Sequence, residues 1–218
     1  LQGLSYEIKD EKEHGNKYLY VFSNSGINIS KTITMSFDVL RQEHGNVKYV
    51  NVNPEKYLSP TMVVPTGKIF DSIIKNNKLN KNNMQSVYDF VLLGMHYGKP
   101  KSINNQYYKE PWLSPKGQYG IKKVSRDEVV DLYKYAKSTN GNYTFGNGNS
   151  LYACDIGVGN CTDYHSYFMS LSRTLEVPAR FHMGFSIPGN EEGIVEGYHC
   201  WADYYVDGQG WYPVDISE

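Results

Sequence analysis

The stretch GNCTDYHSYFMSLSRTLEVPAR, residues 159–180, decides the fold of this 218-residue chain. Asn160 is a favoured N-cap residue, and Asp163 three positions later completes the pattern of a helix start. Val177-Pro178 ends the helix, because the residue before a proline is disfavoured in helical backbone. The predicted buried stripe of this helix consists of Tyr164, Phe168, Leu171 and Leu175. The pattern therefore places Cys161 at the first position of an amphipathic helix.

A thiol at the start of a helix has a chemical consequence. Unpaired N–H groups and the helix dipole favour negative charge there, and a lowered thiol pKa yields the nucleophilic thiolate. The glycines at 157 and 159 leave room for a substrate carbonyl, towards which the backbone N–H of Cys161 would donate as an oxyanion develops. The alternative is that Cys161 is a small buried hydrophobic residue, since free cysteines are often buried.

A nucleophilic cysteine needs a base, and the base needs a partner that orients it. His199 and Asp215 lie in two predicted strands, YHCWADYYV and GWYPVDI, which the turn at residues 207–210 joins. An Asp beside the imidazole would fix its tautomer and favour the imidazolium. A four-residue loop would set Asp215 opposite Ala202, so this pairing requires a bulge or a loop of odd length. The alternative is a histidine at a strand end and an aspartate beside a turn, with no joint role.

The remaining cysteines and histidines leave several options open. His165 falls one turn after Cys161, where it either points toward the site or is a satisfied structural histidine. Cys200 follows His199 on a strand, so we expect it on the opposite face, in the core. A Cys154–Cys200 disulfide is one option, and it would leave Cys161 as the free thiol. No CxxC or HxxxH spacing supports a zinc site.

Composition narrows the classes of function. Hydrophobic residues make up 40% of the chain and the net charge is −1, so we expect a packed core and no general attraction to nucleic acid or anionic membranes. No apolar run approaches the roughly 20 residues needed to span a bilayer. The chain opens with LQGLSYEIKD, which is neither an initiator methionine nor a signal peptide.

The rest of the chain divides into a strand-rich beginning and a helical middle. Alternation predicts strands in KYLYVFS, KTITMSFDVLRQE and NVKYVNV. Helices are predicted in GKIFDSIIKNN, in NNMQSVYDFVLLGMHY with one apolar face, and in SRDEVVDLYKYAK. Residues 98–124 have no period and residues 138–160 are predicted as a long loop. The apolar face of the second helix consists of Met84, Val87, Val91 and Met95.

Two segments, GNCTDYHSYFMSLSRTLEVPARFHMGF and GYHCWADYYVDGQGWYPVDIS, resemble the core of the bacterial transglutaminase-like superfamily. The resemblance implies an α+β, papain-like fold in which a cysteine at a helix N-terminus packs on an antiparallel sheet. It identifies Cys161, His199 and Asp215 as a Cys-His-Asp catalytic triad. It further implies that residues 1–60 are a small antiparallel β unit, the end of an N-terminal β domain, before a core at 61–218 with an insertion at about 98–140.

The resemblance also implies an activity, which is thiol-dependent acyl transfer without a cofactor. Hydrolysis of a peptide or amide bond is favoured; the alternatives are protein-glutamine γ-glutamyl transfer and a catalytically inactive binding module. The expected partner is a peptide or protein amide, with no nucleic acid and no membrane insertion, and the oligomeric state is open. Relatives that carry export signals imply a location outside the cytoplasm.

One departure from the family pattern concerns the oxyanion. Phe145 stands where relatives tend to carry a tryptophan, and a phenyl ring has no N–H to donate. The backbone N–H of Cys161 is the first expected donor. Candidates for the second donor are Trp112, Tyr152 and Asn160.

Overall fold

The computed structural model describes residues 4–24, 26, 32–34, 36, 53–67, 69–97, 145–185 and 197–217. The chain forms two compact units, Leu1–Glu43 and His44–Glu218, which are described separately below. The predicted insertion at about 98–140 and the predicted helix in SRDEVVDLYKYAK lie outside the described residues.

The first unit contains an antiparallel hairpin. Strand β1 (Ser5–Asp10) pairs with strand β2 (Lys17–Phe22), and the register sets Ile8 opposite Leu19. Strand β2 confirms the strand predicted in KYLYVFS, whereas β1 was not predicted. Of the other two predicted strands, KTITMSFDVLRQE falls mostly, and NVKYVNV wholly, outside the described residues.

The helices before the site confirm two predictions and correct one. A 3₁₀ helix (Pro54–Leu58) precedes helices α1 (Ile69–Asn77) and α2 (Met84–Gly94), both of which were expected. The predicted loop at 138–160, in contrast, contains helix α3 (Ser150–Ile156). The Asn149 side chain accepts hydrogen bonds from the N–H groups of Leu151 and Tyr152, and Gly157 in left-handed backbone ends the helix. These caps support a helix of less than two full turns that hydrophobic periodicity did not reveal.

Helix α4 (Cys161–Thr174) is the central element of the second unit. Tyr164, Phe168 and Leu171 of the predicted stripe are buried, while Leu175 lies beyond the helix and is half-buried. The opposite side is buried as well, so the helix is not a surface helix with one apolar face. Its buried polar residues are Asp163, His165, Ser166, Ser170 and Ser172.

A three-stranded antiparallel sheet packs beside α4. Strand β6 (His199–Val206) lies between β5 (Ala179–Gly184) and β7 (Gly210–Val214). A separate parallel pair joins β3 (His96–Tyr97) to β4 (Val158–Gly159), immediately before α4. Ala179, Ala202 and Val214 of the sheet belong to the same buried core as α2 and α4. The second unit is therefore an α+β fold with a cysteine-headed helix on an antiparallel sheet, as expected.

Candidate active site

Reciprocal capping fixes the first turn of helix α4. The Asn160 side-chain oxygen accepts from the N–H groups of Thr162 at 2.9 Å and Asp163 at 3.4 Å, and Asp163 accepts from the N–H of Asn160 at 3.1 Å. This confirms the predicted helix start. The cap serves the second and third N–H groups of the helix and leaves that of Cys161 available for another acceptor.

Asp163 also ties the preceding loop to the helix. Its carboxylate accepts from the N–H groups of Gly146 at 2.9 Å and Gly148 at 3.3 Å. Burial raises the pKa of this carboxyl to about 6, against the hydrogen bonds that favour its charged form. A Cβ at Gly159 would lie 2.4 Å from the Asp163 Cβ, so only glycine fits there. The backbone before Cys161 is thereby held close to the helix.

His199 and Asp215 are hydrogen-bonded partners. His199 Nε2 lies 2.5 Å from Asp215 Oδ2, and the other carboxylate oxygen accepts from the N–H and hydroxyl of Ser217 at 3.3 and 3.2 Å. The turn between the strands has three residues, because Val206 pairs with Gly210. This odd length meets the condition that the sequence imposed. It sets Val214, and not Asp215, opposite Ala202, and so brings the carboxylate to the face that bears His199.

The Cys161 thiol lies in a crowded environment. Its residue is only 5% exposed, and the adjoining Thr162 hydroxyl lies 3.6 Å from the Cys200 sulfur. Burial, with the neighbouring Cys161 side chain, raises the pKa of the Cys200 thiol to about 11. Cys200 is fully buried, as predicted, and none of the three cysteines, Cys154 included, forms a disulfide. The Cys154–Cys200 disulfide considered above is thus not formed in this structure.

Tyr97 lies near Cys161, and no pattern in the sequence predicts this. The parallel pairing of β3 and β4 sets it beside Gly159, and its ring lies 6.0 Å from that of Tyr164 in the first turn of α4. The phenol interacts with the backbone N–H and the side chain of Cys161. Burial and the Cys161 side chain raise the pKa of the phenol above its usual range, against the backbone N–H of Cys161, so the hydroxyl keeps its proton. Tyr97 stands at the end of a predicted helix, 64 residues before Cys161, and this position in the sequence gives no indication that the two residues are close.

Of the three residues that the sequence suggests as the second oxyanion donor, two lie within the described residues. Trp112 lies outside the described residues. Tyr152 is 1% exposed within α3, and the Asn160 side-chain oxygen is engaged in the helix cap. Their proposed role as donors stays a prediction.

A second histidine–carboxylate pair lies on the outer face of the sheet. His182 Nε2 and Arg180 Nη2 lie 2.8 and 2.7 Å from Asp203 Oδ2. Burial alone would raise the pKa of Asp203, but these hydrogen bonds outweigh it and hold the pKa below its ordinary value. His182 stacks on Trp201 at 5.4 Å between ring centres, and the ring centre of His199 lies 6.4 Å from that of Trp201. The pair therefore stiffens the surface next to His199.

Two properties of the described residues concern ligands and membranes. Within those ranges, no three His, Cys, Asp or Glu side chains gather as metal ligands would. Nor does any helix there have the length and apolar character required to cross a bilayer.

A family comparison agrees with the arrangement around Cys161. Residues 114–216 match the model of the transglutaminase-like superfamily. This part of the chain belongs to that superfamily. The match includes α4, the three-stranded sheet, Cys161, His199 and Asp215.

Individual proteins are similar to this chain only over a short segment or at low sequence identity. An uncharacterized protein of Haemophilus influenzae is 35% identical in an aligned segment that covers 28% of this chain and 21% of the relative. Among solved structures, a candidate cysteine protease from Cytophaga hutchinsonii has 15% identity and a TM-score of 0.46, with 79% of this chain and 45% of that chain covered. The periplasmic domain of TgpA from Pseudomonas aeruginosa, bound to ethylmercury, has 17% identity and a TM-score of 0.41, with 76% and 50% covered. The matched region thus spans about a fifth of the curated relative and at most half of each solved chain.

Proposed function

We propose that this chain is a thiol-dependent acyl-transfer enzyme that hydrolyses a peptide or amide bond through Cys161, His199 and Asp215. The observation that carries the proposal is the 2.5 Å contact of His199 Nε2 with Asp215 Oδ2. This pair is connected to Cys161 at the start of α4 through His165. The His165 ring lies 2.6 Å from the Cys161 carbonyl oxygen and 3.7 Å from Asp215 Oδ1. Membership of the transglutaminase-like superfamily supports the same assignment.

The hydrogen bond to Asp215 decides which nitrogen of His199 does the proton chemistry. Nε2 is engaged with the carboxylate, so Nδ1 is the nitrogen that takes the proton of the Cys161 thiol. The thiolate then forms a bond to the carbonyl carbon of the substrate, and the carbonyl π pair moves to oxygen. As the tetrahedral intermediate collapses, the C–N bond breaks and His199 returns its proton to the leaving amine. Water, deprotonated by the same imidazole, cleaves the thioester and releases the acid and the free thiol.

The oxyanion needs donors, and two lie beside the sulfur. The N–H of Cys161 is one of them, since Asn160 caps only the following two N–H groups and the substrate oxygen would replace the Tyr97 phenol as its acceptor. The second we assign to the Tyr97 hydroxyl, which interacts with that same N–H and with the Cys161 side chain. A phenol with a raised pKa stays a donor throughout the neutral range.

Covalent labelling tests the proposal without knowledge of the natural substrate. The protein is treated with iodoacetamide and, separately, with p-nitrophenyl acetate, and the modified residue is identified by mass spectrometry. We expect alkylation and acylation at Cys161, with much slower acylation in His199→Ala and none at residue 161 in Cys161→Ala. Cys154 and Cys200 are internal references in the same digest. A Cys161 that is no more reactive than these two thiols would refute the proposal and favour an inactive module of the same fold.

Hydrolysis and γ-glutamyl transfer differ in what attacks the thioester. In the presence of a primary amine such as dansylcadaverine and a glutamine-rich protein such as casein, a hydrolase releases acid and leaves the amine free. Stable incorporation of the amine into casein would replace hydrolysis by transfer in this proposal. The substrate and a location outside the cytoplasm likewise remain parts of the proposal.

A further inference from the structure

His165 is a buried imidazole that the proposed reaction does not use. It lies one turn after Cys161 on α4 and is 0% exposed. Both ring nitrogens have partners: Nδ1 lies 2.6 Å from the Cys161 carbonyl oxygen, and Nε2 lies 3.0 Å from the backbone nitrogen of Ile216. The two partners belong to different ends of the site and are 55 residues apart in sequence.

These partners fix the protonation state of the ring. A carbonyl oxygen only accepts, so the proton is on Nδ1; the Ile216 N–H only donates, so Nε2 is the acceptor. The ring is therefore neutral and in one tautomer. Burial lowers the pKa of His165 to about 4, although the backbone of Cys161 and Val214 and the Asp215 carboxylate favour the charged ring, so the ring stays neutral at neutral pH.

The Ile216 N–H belongs to the peptide group that directly follows Asp215. By holding it, His165 fixes the backbone from which the Asp215 side chain projects. That side chain places Oδ2 against His199 Nε2 and has Oδ1 3.7 Å from His165 Nε2. One imidazole thus connects the carbonyl of the nucleophile's residue to the residue that orients the base.

We propose that His165 is a positioning residue that sets Asp215, and through it His199, relative to Cys161. Its importance for catalysis rests on the function proposed above, but its effect on His199 does not. The important contact is Nε2 with Ile216, because the contact of Nδ1 with Cys161 stays within one helix. Loss of the contact between Nε2 and the Ile216 N–H should release Asp215. Loss of the contact between Nδ1 and the Cys161 carbonyl should only make the position of the His165 ring less fixed.

Two substitutions separate these contacts. His165→Gln can keep an acceptor near the Nε2 position, for the Ile216 N–H, while it loses the donor to Cys161. His165→Asn can keep a donor near the Nδ1 position, for the Cys161 carbonyl, and cannot reach Ile216. A role limited to filling the core predicts that both variants lose stability and that the folded molecules keep a normal His199–Asp215 pair.

The readouts are the ring resonances of His199 in protein labelled with ¹⁵N-histidine and the rate of Cys161 alkylation by iodoacetamide at pH 6. We expect His165→Gln to keep the hydrogen-bonded Nε2–H signal of His199 and to alkylate within about twofold of wild type. We expect His165→Asn to lose or shift that signal, as the Asp215→Asn control does, and to alkylate about tenfold more slowly. Tenfold is the lower end of the range for outer hydrogen-bond partners of metal-ligating histidines. Equal behaviour of the two variants, or a normal His199 signal in His165→Asn, overturns the proposal.

If neither variant folds, the effect of Asp215 on His165 is measured instead, because an energetic coupling between two residues must be reciprocal. Asp215→Asn should then shift the His165 ring nitrogens and the Ile216 amide, and unchanged shifts would refute the role. Failure of the proposed function is distinguishable, because an unreactive Cys161 in the wild type leaves the His199 resonance test intact.

Discussion

Asp215 lies one residue beyond the end of strand β7, and its Oδ2 is 2.5 Å from His199 Nε2 at the beginning of strand β6. The carboxylate can reach the imidazole because the intervening turn has three residues, so that Val206 pairs with Gly210. Both side chains are only partly buried. The contact therefore forms at the edge of the core, where a substrate can approach.

The first prediction concerns this contact. Asp215→Asn should leave His199 in place but remove the carboxylate that accepts from Nε2 and so holds the ring in the tautomer with Nδ1 free. We expect acylation of Cys161 by p-nitrophenyl acetate to fall by about 10²-fold or more, on the scale of losses seen for orienting carboxylates. Asp203→Asn is the matched control, since Asp203 faces His182 and Arg180 and not His199. Equal losses in the two variants would contradict a specific role for Asp215.

How much of this site the sequence discloses depends on the range of the interaction. The Asn160 cap, the helix from Cys161 and the hairpin of β6 and β7 are local patterns, and the structure confirms them. Tyr97 and the Ile216 end of the His165 contact depend on elements that are distant in sequence, so no periodicity reveals them. Helix α3 was missed for another reason: its caps define it, and its apolar period is too short to read.

The second prediction tests Tyr97 as the oxyanion donor. Tyr97→Phe keeps the ring against Tyr164 and removes only the hydroxyl. Acylation by p-nitrophenyl acetate develops an oxyanion, whereas alkylation by iodoacetamide does not, so only the first rate should fall. Loss of one donor costs about 10²–10³-fold in enzymes where it was measured, and we expect at least about tenfold for this activated ester.

Tyr152→Phe is the control for that measurement, because Tyr152 is a donor candidate from the sequence that lies buried in α3. The proposal requires that its ratio of acylation to alkylation match that of the wild type. A faster acylation in Tyr97→Phe would mean that the hydroxyl blocks the site instead of serving it.

The third prediction concerns Gly159 and the backbone that leads to Cys161. A methyl group there would lie 2.4 Å from the Asp163 Cβ, so Gly159→Ala must move the helix cap or the strand pair. Overpacking of this kind typically costs about 1–3 kcal/mol of unfolding free energy. Gly94→Ala is the control, because a Cβ at that helical position meets nothing within 4 Å. Urea unfolding of both variants checks the difference, and equal stability would show that the backbone at Gly159 relaxes without cost.

The last prediction concerns two buried groups that titrate in opposite senses. Burial raises the pKa of Asp163 from an ordinary value of 3.8 to about 6, so the folded state binds the proton more tightly and this group's contribution falls as pH rises from about 4 to about 6. Burial lowers the pKa of His165 from 6.5 to about 4, so the unfolded state binds the proton more tightly and this contribution rises with pH over nearly the same range. Between pH 4 and 6 the two effects should nearly cancel in the wild type.

Single substitutions should expose each effect. Relative to wild type, Asp163→Asn should gain stability as pH rises from 4 to 6, because it lacks the falling contribution. His165→Gln should lose relative stability over the same interval. Each difference should amount to about 2–3 kcal/mol at most, from 1.36 kcal/mol per pKa unit. Urea titrations at several pH values give the differences between variant and wild type, in which all other titrating groups cancel. If this difference in unfolding free energy stays constant from pH 4 to 6 for both variants, neither group carries the stated pKa shift.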